Sequence, residues 1–82
     1  MQGRLNIDEY KYMIYELFNM AAEEYSTSDI AYVCNVTTQT VRNMKNGECE
    51  NPVILAFLVK IGMQKDKELT KMLLTNSFNW ED

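Results

Sequence analysis

The chain has no histidine, one proline, three glycines, two cysteines and one tryptophan among its 82 residues. Without His, the commonest general base and metal ligand at neutral pH is missing. Cys34 and Cys49 form no CxxC pair and belong to no four-ligand set, so a structural zinc site is not expected. With so few Pro and Gly, helices are favoured over a turn-rich β fold. The longest apolar run, residues 53–59, is far too short to span a bilayer. No Gly-rich phosphate loop occurs, and no Ser or Cys has a visible base partner. Neither an enzyme, a cofactor nor a metal is therefore expected. No charged-then-apolar leader is visible. The expectation is a soluble, cytoplasmic protein, not membrane-bound, with both thiols free in a reducing compartment.

Hydrophobic residues make up 46% of the chain and charged residues 24%, ordinary values for a folded domain. A chain of this length supports one modest core, which dimerisation or dense helix packing would reinforce. The net charge is −4, from 12 acidic and 8 basic side chains. Taken alone, that balance predicts repulsion from a polyanion. Its distribution is uneven, however. Residues 1–29 set Arg4 and Lys11 against Asp8, Glu9, Glu16, Glu23, Glu24 and Asp29, whereas residues 30–47 hold Arg42 and Lys45 and no acid.

Apolar side chains recur at Tyr10, Met13, Ile14, Leu17, Phe18 and Ala21, the spacing of one buried helical stripe. They predict a first helix over residues 7–25, opened by an Asn6/Glu9 capping box. Tyr12 and Tyr15 fall off this stripe, either as ordinary surface tyrosines or as a protein-binding patch. Ser26, Thr27 and Ser28 offer successive N-caps for a second helix ending near Cys34, with Ile30, Ala31 and Cys34 facing inward. Asn35 suits a left-handed turn, and Val36 plugs the core. Thr37 caps a third helix over residues 38–46, with Val41 and Met44 inward and Thr38, Gln39, Arg42, Asn43 and Lys45 outward. Asn46-Gly47 is a stop signal. Asn51-Pro52 starts a fourth helix, apolar nearly all round, that is expected to end at Ile61 before Gly62. A fifth helix is expected from near Asp66 to Asn76, burying Leu69, Met72 and Leu73. Residues 1–6 carry no pattern and are expected as a flexible arm. The domain proper spans 7–76. Residues 77–82 form a tail whose Phe78 and Trp80 pack either on their own domain or, with Phe57, on a second subunit.

The stretch from Thr27 to Gly47 carries the strongest pattern. An apolar Ile30 precedes the small Ala31, and the turn residue Asn35 follows four positions later. Then come the plug Val36, the inward Val41 and Met44, the stop Asn46-Gly47 and the next helix start at Pro52. This series resembles the phage repressor and Cro class of helix-turn-helix domains, also called the XRE family. The chain departs from that pattern in having Asn35 where Gly is usual, Thr27 where Gln is frequent, and an acidic first helix. The resemblance implies an all-α, lambda-repressor-like bundle of about five short helices and a sequence-specific transcriptional regulator. It implies a small phage- or plasmid-type protein acting as a homodimer on double-stranded DNA. By position, Thr38, Gln39, Arg42 and Asn43 would meet base edges in the major groove. Thr27, Ser28, Lys45 and Asn46 would meet phosphates.

The acidic balance and the off-stripe tyrosines motivate a second expectation. It is an acidic protein-binding module on the same fold: an anti-repressor, a repressor modulator, or a phage inhibitor of a host protein such as an anti-CRISPR.

Overall fold

The computed structural model describes the backbone of residues 3–80 and the side chains of residues 6–78. Five helices follow one another: α1 (Ile7–Ala21), α2 (Thr27–Cys34), α3 (Thr38–Lys45), α4 (Pro52–Lys65) and α5 (Lys67–Ser77). Two short strands, β1 (Gly3–Leu5) and β2 (Phe78–Trp80), pair antiparallel across the termini, with Leu5 opposite Phe78. The all-α bundle of short helices expected from periodicity is present, with this small ribbon added.

The amphipathic stripe of α1 is the centre of the core. Tyr10, Met13, Ile14, Leu17, Phe18 and Ala21 are all buried. They pack chiefly on α4 and α5, where Ile54, Leu58, Ile61 and Leu73 close over them. Among the described residues, no helix is long and apolar enough to cross a membrane.

Several boundaries differ from the sequence expectation, each for a tertiary reason. The first helix stops at Ala21 rather than residue 25. Tyr25 leaves the helical path to pack edge-on against Phe57, ring centroids 5.3 Å apart. Phe57 is half-buried and has this aromatic partner within its own domain. The fourth helix runs through Gly62 to Lys65. A Cβ at Gly62 would lie 2.5 Å from Thr70 Oγ1 and 2.8 Å from Leu17 Cδ2. The glycine lets three helices approach; it does not end one. In α5 the buried line is Thr70, Leu73 and Ser77. Met72, expected inward, is 50% exposed because this line runs along a different side of the helix.

The N-terminal arm is also corrected. Asn6 caps α1 by accepting from Glu9 N–H at 3.2 Å. Its own N–H donates to the Ser77 carbonyl at 2.8 Å, taking the place of the expected Glu9 side chain. Ser77 Oγ donates to the Glu9 carbonyl at 3.1 Å. Residues 3–5 are thus a strand, tied to the end of α5 instead of forming a patternless arm. Phe78 packs edge-on against Tyr10 at 6.2 Å, so the tail folds back on its own domain at that residue. The side chain of Trp80 lies outside the described residues.

Candidate functional site

The α2–turn–α3 pair is built from local signals. Ser26 opens α2 with a reciprocal capping box: its Oγ accepts from Asp29 N–H, and Asp29 Oδ2 accepts from Ser26 N–H. Thr27 and Ser28 are consequently first-turn residues, not caps. At the other end Asn35 adopts φ 58°, ψ 47°. Val36 N–H reaches the Ala31 carbonyl at 3.0 Å and Asn35 N–H reaches Tyr32 at 3.2 Å. These paired bonds are a Schellman turn, and they satisfy carbonyls that the end of a helix leaves open. Thr37 then caps α3 through Thr40 N–H. A second Schellman turn closes α3, with Glu48 N–H on the Asn43 carbonyl at 2.7 Å and Gly47 N–H on Met44 at 3.1 Å. Gly47 takes φ 81° there, a conformation costly for any residue with a Cβ.

Ile30, Ala31 and Cys34 from α2 and Val41 and Met44 from α3 are buried, and Val36 packs half-buried against them. With only two of its residues inside, α3 turns the rest outward. Gln39, Arg42 and Lys45 are exposed, and Thr38 and Asn43 are half-buried. Gln39 Nε2 donates to Asn43 Oδ1 at 2.8 Å. This i, i+4 bond orients both amides, leaving the Gln39 carbonyl oxygen and the Asn43 NH2 for another molecule. Asn46 is exposed at the C-cap. Ser28 is exposed and Thr27 half-buried beside the first turn of α2. That helix end also carries the Asp29 carboxylate, which opposes an incoming anion at the same place.

Among the described residues the ion pairs are those of Lys65, at 3.4 Å from Glu23 and 3.5 Å from Glu24. Desolvation lowers the Lys65 pKa, but its bonds to Glu23 and Glu24 outweigh this and the net shift is upward. Arg42 and Lys45 have no such partners among the described residues. The fold also adds a cation that spacing did not reveal: Lys11, from the acidic α1, shares a cleft with Lys45, Asn46 and Gly47.

The two thiols differ. Cys34 is buried, and burial pushes its pKa up, so it stays a protonated core residue. Cys49 is half-buried, its Sγ donating to the Thr40 carbonyl at 3.7 Å, which tethers the following loop to α3. Among the described residues, no group of three or more His, Cys, Asp or Glu side chains is placed to hold a metal ion.

Tyr12 and Tyr15 are exposed on α1. Sequence reasoning passed over two further residues on α2: Tyr32 is 88% exposed and Val33 56%. The signal was present, since both fall off the Ile30/Ala31/Cys34 stripe and bring apolar area to positions with nothing to bury it. No family model, curated protein or solved structure matches the chain.

Proposed function

We propose that the protein is a sequence-specific DNA-binding transcriptional regulator of the helix-turn-helix type, with α3 entering the major groove. The observation that carries this reading is the outward face of α3. It is polar, free of acid and backed by a tight left-handed turn at Asn35. Gln39 and Asn43 suit adenine edges, Arg42 suits guanine, and the Thr38 methyl suits the thymine methyl. Lys45 and Lys11 flank the C-terminal end of α3, where a phosphate backbone would run. The face is short, so a homodimer on a two-fold site gives it useful affinity. Few cations are available, and the binding constant should fall with salt on a log–log slope on the order of −2 to −5.

The test is selection from random duplex DNA, followed by polarisation titrations at several salt concentrations. An enriched palindrome supports the reading. Gln39→Ala then relaxes preference at one position, at a cost of about 1–3 kcal/mol. Lys45→Ala weakens all sequences alike and reduces the slope by about 1 per protomer. Absence of DNA binding at low salt, with wild type and Arg42→Ala alike, would sink it.

One observation favours a second reading, a protein-binding module on the same bundle. Tyr12, Tyr15, Tyr32 and Val33 are all exposed, and Tyr is enriched where proteins meet. On this reading the acidic α1 faces a basic partner. Loss of partner capture in Tyr32→Ala, with DNA binding absent, would establish it.

A further inference from the structure

A cleft of about 170 Å3 lies between the N-terminal half of α1, the C-terminal end of α3 and the loop that follows. Ile7, Ile14 and Met44 form its apolar wall, Lys11 and Lys45 supply two cations, and Glu50 supplies one carboxylate. Ile14 and Met44 belong to the core, so that part of the wall is fixed. Tyr10 also lines the cleft; it is only 7% exposed, and its hydroxyl donates to Glu50 Oε1 at 3.4 Å. That bond directs the exposed Glu50 carboxylate toward the cleft. Neither lysine joins an ion pair among the described residues.

Size and charge together narrow the occupant. An engineered apolar cavity of about 150 Å3 admits benzene, so this space suits one aliphatic or aromatic side chain and not a drug-sized ligand. Two cations and one anion beside an apolar wall complement a molecule carrying a carboxylate, an ammonium and a small apolar group. A phosphate would meet Glu50 uncompensated. A simple amine would leave both lysines unmatched.

We propose that this cleft binds a free apolar α-amino acid, its carboxylate on Lys11 and Lys45, its ammonium on Glu50 and its side chain against Ile7, Ile14 and Met44. The site lies beside the outward face of α3, and its occupation does not depend on α3 reading DNA.

The experiment is a titration of L-leucine into 13C-labelled protein, followed at the methyl groups of Ile7, Ile14 and Met44. Saturable shifts are expected, with half-saturation on the order of a millimolar, while the methyl groups of Leu73 stay in place. 4-Methylpentanoate lacks the ammonium and 3-methylbutylamine lacks the carboxylate; each should bind at least about fivefold more weakly, since each loses a charge-assisted bond. Glu50→Gln keeps an acceptor for Tyr10 and should reduce leucine to the affinity of 4-methylpentanoate. No saturable shift up to about 20 mM, a concentration well above a millimolar dissociation constant, would overturn the proposal. So would equal binding of leucine and 4-methylpentanoate, or leucine binding unchanged in Glu50→Gln.

Discussion

In the α1–α4–α5 layer, Met13, Leu17, Ile54, Leu58 and Leu73 are sealed from solvent, whereas α3 contributes only Val41 and Met44 to the core. The layer is held by burial among long helices and by the hydrogen bonds that join Asn6, Glu9 and Ser77 across the termini. The α2–turn–α3 pair is held by caps and turns: the Ser26/Asp29 box, the left-handed Asn35, the Thr37 cap and the Schellman turn at Gly47. A small protein has few apolar side chains to spend. Here they are concentrated in a rigid layer, so that a short helix with a polar face can be presented without a large core of its own. Polar exposure on α3 follows from that division, whatever the face binds.

The largest expected effect tests the layer. Leu58→Ala removes a fully buried side chain at the centre of α4 and should cost about 2–5 kcal/mol by urea denaturation. Gly62→Ala comes next. The added methyl meets Thr70 Oγ1 and Leu17 Cδ2, and overpacking of about 1–3 kcal/mol outweighs the roughly 1 kcal/mol gained in helix propensity. A net stabilisation would show that the three helices are looser at this point than their geometry implies.

Asn35→Val probes the other region. It forces a β-branched residue into the left-handed conformation and should cost about 1–2 kcal/mol. Amide exchange should report the loss mainly in α2 and α3, leaving α1 and α5 protected. A loss as large as that of Leu58→Ala, spread over all helices, would break the distinction between the two regions.

Thr70→Val should instead stabilise the layer. Thr70 Oγ1 is buried without a hydrogen-bond partner among the described residues, and replacing an unsatisfied hydroxyl by a methyl of similar shape is worth about 1 kcal/mol.

The smallest effect concerns pH. Burial, followed by the charge of Glu50 and its hydrogen bond, raises the Tyr10 pKa above the ordinary value of 10.0. A raised pKa means that the folded state holds the proton more tightly than the unfolded state. The resulting stability is fully present below pH 10 and is lost as pH rises through the folded-state value. Tyr10→Phe should abolish that alkaline decline in the denaturation midpoint, leaving the mid-pH transition to report the lost hydroxyl alone.

Legibility differed along the chain according to whether a signal was local. The stripe of α1, the cap at Thr37, the turn at Asn35 and the stop at Gly47 depend on neighbours within a few residues, and spacing sufficed to read them. At the start of α2 it left Ser26, Thr27 and Ser28 as equal caps, and the Ser26/Asp29 box chose among them. Gly62 was misread because a glycine after an apolar run looks like a stop, when its role is a close approach to Thr70 and Leu17, partners on other helices. Met72 was misplaced for the same reason: the side of α5 that faces inward is set by what α1 and α4 offer it. Tyr25 and Phe57 could not be paired from spacing. For the candidate site, the outward positions of Gln39, Arg42 and Lys45 were legible because Val41 and Met44 fix the inward side of α3. Lys11 was not, being separated from Lys45 by the rest of α1, all of α2 and most of α3.

The sequence by itself determined the helical class, the turn after α2, the cap and stop of α3, and the side of α3 that faces outward, because each depends on contacts within one or two helical turns. Tertiary structure alone decided the rest. It sealed the termini through β1 and β2, carried α4 past Gly62, turned Phe57 and Phe78 inward, and brought Lys11 and Glu50 to the edge of α3. Those outcomes depend on which surfaces meet, and periodicity along one helix carries no information about the helix that will cover it.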